Sequence, residues 1–214
     1  MNAGTVRQSV AGPAGLIECA VDAPAASALT LRGTVVICHP HPQHGGTMDN
    51  KVVQTLARAV VQLGWRSVRF NFRGVGGSGG VWDEGRGEID DALAVVAAQR
   101  AAAPGLPLAL GGFSFGAYVA AQAAARLADD LQHPAPVERL VLVGPATSRF
   151  TLPATVAPDT VVIHGEADEV VPLAATFDWA RPQGLPVIVL PGVGHFFHGQ
   201  LTRLKDQVIQ AWHA

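Results

Sequence analysis

Residues 107–127 restrict the possible folds of this chain more than any other stretch. Pro107-Leu108-Ala109-Leu110-Gly111 is a short apolar run that reads as a buried strand. Residues 117–127 are rich in helix formers. Between them stands Gly112-Phe113-Ser114-Phe115-Gly116. A strand that becomes a helix within so few residues must bend tightly, and the flanking glycines are expected to let the backbone do so. The Ser114 hydroxyl is then presented at the tip, where the helix N-terminus favours developing negative charge. That is the geometry of a serine nucleophile.

The five-residue pattern occurs a second time, as Gly76-Gly77-Ser78-Gly79-Gly80. This copy follows a strand but runs into Val81-Trp82-Asp83-Glu84-Gly85, which does not start a helix. A glycine cluster of this kind is expected to be too floppy to hold a hydroxyl in place. Ser78 therefore reads as a loop residue and Ser114 as the nucleophile.

The rest of the chain repeats the strand-then-helix theme. Segments 5–10 and 16–21 read as an antiparallel hairpin around residues 11–15. Strands are expected at 34–38, 66–72, 108–112, 140–143, 160–164 and 186–190. Helices are expected over 49–63, 88–102, the stretch after Ser114, 173–181 and 197–213. Short Val/Ile/Leu runs alternating with amphipathic helices imply an α/β fold: a mostly parallel sheet, helices on both faces. At 214 residues, 49% of them hydrophobic, the chain can bury one substantial core and is short for two domains, so residues 1–214 read as one domain.

Charge and composition exclude several function classes. A net charge of −2 with scattered Arg residues makes no case for nucleic acid or an acidic membrane surface. The N-terminal residues lack a charged-then-apolar signal pattern, and Gly, Pro and Arg interrupt each apolar run before it reaches membrane-spanning length. Cys19 and Cys38 sit in apolar strand-like segments and read as buried free thiols, so a cytoplasmic location is expected.

In a parallel sheet, function gathers beyond the carboxyl ends of the strands. His39, His41, Arg73, Ser114, Asp168 and His195 all fall there. A serine hydroxyl needs a base, and the base needs a third group to fix its tautomer. Downstream of Ser114 comes a carboxylate loop, Gly165-Glu166-Ala167-Asp168-Glu169, and then a histidine loop, Gly192-Val193-Gly194-His195. Asp168 is preferred over Glu166 and Glu169, which read as solvated loop charges, because its short side chain lies in the loop interior. His195, at a glycine-flanked tip, is preferred over His198, which is expected within the starting helix. His133 and His213 read as surface residues. For an oxyanion, one backbone donor is expected at Phe115. The second is sought in His39-Pro40-His41-Pro42-Gln43-His44. Pro40 and Pro42 have no N–H, which leaves His41, Gln43 or His44; His41 is favoured as nearest the strand end.

With these residues in view, the chain resembles the compact bacterial α/β-hydrolases that lack a lid. The resemblance runs through His39-Pro40-His41-Pro42, Gly45 to Lys51, Arg69-Phe70-Asn71-Phe72-Arg73-Gly74-Val75-Gly76, Gly112 to Gly116, Gly165-Glu166-Ala167-Asp168 and Gly194-His195-Phe196-Phe197. It implies an α/β-hydrolase fold and a serine hydrolase of small ester-type substrates, with Ser114, Asp168 and His195 as the triad and an acyl-enzyme intermediate. A thioesterase or peptidase on the same fold is the alternative. Larger members insert a helical cap after the strand at 140–143; here residues 144–159 are too few. An open, shallow site without a cap domain is expected, with no cofactor, a small-molecule ester as the partner and neither nucleic acid nor membrane, compatible with a monomer.

Competing signals are weaker. His39, His41 and His44 spell His-x-His-x-x-His, similar to the run of metallo-β-lactamase-type hydrolases, but Gln43 stands where an acid is required and two prolines restrict convergence, so no metal is expected. Gly74-Val75-Gly76-Gly77-Ser78-Gly79 matches a dinucleotide fingerprint, yet no helix opens at once and strand 108–112 ends without a carboxylate. A turn braced by Arg73 accounts for it better. A non-catalytic binding module would have lost one of the three residues, and all are present. Glu88, Asp90 and Asp91 read as first-turn helix carboxylates, Asp83 and Glu84 as a possible rim of the pocket, and Trp82 and Phe196 as either its apolar walls or core.

Overall fold

A computed structural model describes residues 4–25, 31–129 and 137–212. His133 and His213 lie outside them. Along the chain run strands β1 (Val6–Gly12), β2 (Gly15–Asp22), β3 (Thr34–Cys38), β4 (Arg66–Phe70), β5 (Leu108–Phe113), β6 (Arg139–Val143), β7 (Val161–Gly165) and β8 (Val187–Leu190). The helices are α1 (Lys51–Gln62), α2 (Arg86–Ala102), α3 (Phe115–Asp129), α4 (Leu173–Ala180) and α5 (Leu201–Ala211). The strands form one sheet in the order β1-β2-β4-β3-β5-β6-β7-β8. β1 and β2 pair antiparallel, as do β2 and β4, and β3 onward is parallel.

Period-two alternation assigns each strand residue to a layer. Val36 and Cys38 pack with Ile89, Val95 and Ala120 of α2 and α3, and with Ala180 of α4. Val35 and Ile37, one residue out of phase, pack with Leu56 and Val60 of α1 and Leu204 and Val208 of α5. Burial on both faces is why β3 and β5 read as unbroken apolar runs, and β7 as one interrupted only by His164. Cys19 and Cys38 are buried free thiols. Burial, and secondarily Glu18, pushes the Cys19 thiol up to about 12; burial alone raises that of Cys38.

Element boundaries differ from expectation where a specific contact intervenes. β4 stops at Phe70 because the Phe72 amide donates to the His39 ring, 3.1 Å away, instead of to a neighbouring strand. α1 begins at Lys51, since Asn50 caps it by accepting from the amides of Val52 and Val53. α2 begins at Arg86, with the Glu88 carboxylate accepting from the Gly85 amide at 2.8 Å. α5 starts only at Leu201, because Phe197 has φ of +51°, which no right-handed helix accommodates. His198 is therefore an exposed turn residue, not a helical one. Residues 144–160 form no helix or strand, so no cap covers the sheet. Among the described residues no helix is long and apolar enough to cross a membrane.

The connection from β3 leads outward to β4, and the next one crosses back to β5 on the other side of β3. The order of the sheet thus reverses between β3 and β5, whose ends pair at Cys38 and Gly112. A crevice opens at such a switch point, beyond the strand ends.

Candidate active site

The turn after β5 bends at the serine itself. Ser114 has φ of +57°, a left-handed conformation that costs a non-glycine residue on the order of 1 kcal/mol or more. Its amide donates to Val143 O at 2.9 Å, and its carbonyl accepts from Ala117 and Tyr118 at the start of α3. The flanking glycines have another task than the expected one of supplying flexibility. A Cβ on Gly112 would lie 2.1 Å from Gly116 O, and one on Gly116 would lie 2.2 Å from Cys38 O. They are glycines because strand, helix and the end of β3 meet too closely for side chains. Ser114 is only 9% exposed, so its hydroxyl lies at the floor of the crevice rather than on a projecting tip.

The three sequence-expected residues meet there. Ser114 Oγ lies 3.0 Å from His195 Nε2, and His195 Nδ1 lies 2.7 Å from Asp168 Oδ2. With the proton on Nδ1, the imidazole donates to the carboxylate and accepts from the hydroxyl. The two loops that carry Asp168 and His195 are clamped together. Ala167 N donates to Val193 O at 3.0 Å, and a Cβ on Gly165 would lie 2.2 Å from that same carbonyl. Glu166, expected as a solvated charge, also accepts from the Gly192 amide at 2.8 Å, so it helps fasten the loop. Below His195, the strained Phe197 is wholly buried and anchors the loop to the α1/α5 layer.

Asp168 is buried, and burial, the largest single influence, raises its pKa. Hydrogen bonds from His164 and His195, the Val171 amide and the charge of His195 together outweigh it and hold the carboxyl below the usual carboxylate range. His164 was not expected in this role. Its Nε2 donates to Val171 O at 2.9 Å and lies 3.3 Å from Asp168 Oδ2. Its Nδ1 accepts from Thr176 Oγ1 at 3.2 Å, and Thr176 in turn meets Thr147 Oγ1 at 3.1 Å. A histidine inside an apolar strand reads as core; only its spacing of four from Asp168, in the same turn out of β7, hints at contact.

The loop after β3 makes one 3-10 turn, Pro42–His44. His39 is fully buried and pins the start of this loop: its Nδ1–H donates to Pro40 O at 2.6 Å, and its Nε2 accepts from Phe72 N. Burial lowers its pKa to about 4, against a smaller opposing effect of the Pro40 carbonyl, so the ring is neutral. Both its nitrogens are spent on backbone groups, so His39, His41 and His44 do not converge as ligands. Of the three candidate donors, the His44 amide donates to His41 O, and Gln43 is exposed and off the cavity wall. His41 lines the cavity with an amide that donates to no backbone carbonyl among the described residues. Phe115, first residue of α3, has the other unspent amide.

A cavity of about 610 Å³ surrounds Ser114 and His195, within the range of small-molecule sites. His41, Phe115, Phe150 and Phe196 wall it, together with Ala146 and Arg149 from the segment where a cap would stand. Trp82 supports this wall from behind, 4.5 Å from the His41 ring and 5.1 Å from Phe115. Asp83 and Glu84 do not rim it; both pair with Arg86. Glu88 is a first-turn carboxylate of α2, as expected, but a buried one; Asp91, one turn further on, is also buried and holds Arg73 at 2.9 Å, which braces the turn after β4. Ser78 is a loop residue but not a floppy one. It is 8% exposed; its Oγ donates to Asn71 O at 2.7 Å and accepts from Glu18 N at 3.0 Å.

Comparison with known proteins agrees with this architecture. Residues 30–156, more than half of the chain, match the family model described as serine aminopeptidase, S33. A lid-less α/β serine hydrolase from Xanthomonas campestris is 37% identical, with TM-score 0.87, over 100% of this chain and 95% of that one. An α/β serine hydrolase homologue from Coxiella burnetii is also 37% identical, with TM-score 0.85, over 96% of each chain. An uncharacterized protein of Rickettsia prowazekii is 44% identical over 88 residues, 41% of this chain; the match spans 37% of that curated relative's length. The chain belongs to the serine aminopeptidase S33 family of α/β serine hydrolases, and to those members that carry no lid.

Proposed function

We propose that the chain hydrolyses small carboxylic esters, with Ser114 as nucleophile, His195 as general base and acid, and Asp168 as the carboxylate that orients it. The observation that carries this reading is the continuous hydrogen-bonded path from Ser114 Oγ through the imidazole to Asp168. As His195 Nε2 takes the hydroxyl proton, Oγ bonds to the ester carbonyl carbon. The resulting oxyanion is held by the amides of Phe115 and His41. Collapse breaks the bond to the alcohol oxygen, which leaves with the proton from His195. Water then gives a proton to His195 and attacks the acyl carbon; collapse returns the proton to Ser114 Oγ and releases the acid. One water is consumed for each ester cleaved.

A peptidase reading is favoured by the name of the matched family. An aminopeptidase must hold a free α-ammonium group, for which a carboxylate in the cavity wall is the natural partner. Among the described residues no Asp or Glu lines the cavity, so esters are the better fit. The test compares 4-nitrophenyl esters with aminoacyl 4-nitroanilides, alongside labelling by a serine-directed fluorophosphonate. Ester turnover with mass-shifted Ser114 is expected. Labelling at another residue, or anilide turnover exceeding ester turnover, would overturn the proposal.

A further inference from the structure

Arg149 stands out among the arginines that pack against loops. Arg69, Arg73 and Arg139 each hold a carboxylate, at 2.9 to 3.1 Å. Arg149 lies in the cavity wall, and its guanidinium makes no ion pair or hydrogen bond among the described residues. Its backbone is nonetheless held: the amides of Arg149 and Phe150 both donate to Ala146 O, at 3.1 and 3.0 Å. Thr147, two residues before it, is tied to α4 through Thr176.

The surroundings are one-sided in charge. His41 and His44 line the same cavity, and among the described residues no acidic side chain does. The field is felt by His41, whose pKa is lowered first by burial and then by the neighbouring His44 and Arg149. The same cavity has apolar surfaces in Phe115, Phe150 and Phe196. A guanidinium carried on a held backbone beside an apolar wall, with no partner and no carboxylate in that wall among the described residues, suits a ligand that has a hydrocarbon part and an anionic end.

Resting on the ester-hydrolase reading above, we infer that the preferred substrates carry a carboxylate, and that Arg149 is the specificity-determining residue that receives it. The preference is electrostatic and partly screened, because Arg149 is exposed.

The experiment measures kcat/KM for charged and neutral esters of matched size. One arm places the charge on the acyl side: mono-4-nitrophenyl adipate against its ω-carboxamide. The other places it on the leaving group: 4-acetoxybenzoate against 4-acetoxybenzamide. A preference for the charged member of about five- to tenfold is expected in at least one arm at low salt. That ratio should fall to about one in Arg149→Gln and invert in Arg149→Glu. It should also shrink at about 0.5 M NaCl, where screening acts within a few Å. A ratio near one in both arms of the wild type, or one that survives in Arg149→Gln, overturns the inference. If neutral esters are still cleaved through Ser114, the ester-hydrolase reading stands without it. If Ser114→Ala cleaves them as fast as wild type, that reading itself fails.

Discussion

The chain contains the same five-residue pattern twice, and the two copies are built on opposite principles. Around Ser78, the glycines take the unusual conformations: Gly76 and Gly80 have φ of +55° and +83°, and the serine does not. Its hydroxyl is saturated by two backbone groups. Around Ser114 the serine takes the left-handed conformation, while Gly112 and Gly116 stay outside it and serve only to admit close backbone approach. Its hydroxyl faces an imidazole. One copy turns the chain and ties a loop to β2. The other stores strain and leaves its oxygen against an imidazole nitrogen, 3.0 Å away. A serine between glycines therefore has no fixed meaning; its role follows from what the hydroxyl can give its proton to.

The largest contrast between the copies is expected from removing each hydroxyl. Ser114→Ala should lower kcat on 4-nitrophenyl esters by roughly 10⁶-fold if the three groups act as a unit, with an unchanged circular dichroism melt. A small loss with the fold intact would erase the distinction between the two serines. Next comes the support of the reactive copy. His164→Gln removes a donor from Asp168, so kcat should fall about tenfold or more, the scale of one hydrogen bond to a charged group. Without that donor the Asp168 carboxyl moves back up toward its ordinary range. The loss should then be greater at pH 4, close to the ordinary carboxyl value of 3.8, than at pH 8, a pH signature that a purely structural role for His164 would not produce.

The glycines offer a third comparison. In Gly116→Ala the new Cβ meets the Cys38 carbonyl at 2.2 Å, backbone that cannot swing aside, so a loss of about 3 kcal/mol in urea unfolding is expected. In Gly77→Ala the nearest atom is Glu18 Oε2 at 3.4 Å, and the change should stay within about 1 kcal/mol. Equal costs at the two positions would mean that space is not what selects glycine beside Ser114. The smallest effect on turnover belongs to Ser78→Ala. Activity should stay within about twofold, while stability falls by about 1–2 kcal/mol because Asn71 O and Glu18 N lose their partner. Severe loss of activity in a folded Ser78→Ala protein would reverse the roles of the two copies.

Much of this molecule was legible in order along the chain. Apolar runs such as Val35-Val36-Ile37 declared strands buried on both faces, and a carboxylate loop followed by a histidine loop declared what lies beyond β7 and β8. These patterns are local: burial and backbone period act on consecutive residues, so consecutive residues report them. What escaped was each feature whose partner lies elsewhere. His164 read as core, although it bonds toward Asp168 and Thr176. Phe197 gave no sign of its positive φ, and so the start of α5 was misplaced. Glu166 read as a solvated charge, which it is, and Asp91 as a first-turn helix carboxylate; that each also holds another loop was not visible. Arg149 could not be distinguished from any other scattered arginine. Ser114 and His195 stand 81 positions apart and meet at 3.0 Å. Residue types and their order along the strands follow from the sequence alone; which hydroxyl is engaged, which carboxylate is buried and which cation is unpaired were decided when the sheet brought distant loops together. The physical reason is that hydrogen bonds and ion pairs act over a few ångströms, and only the folded chain determines which groups come that close.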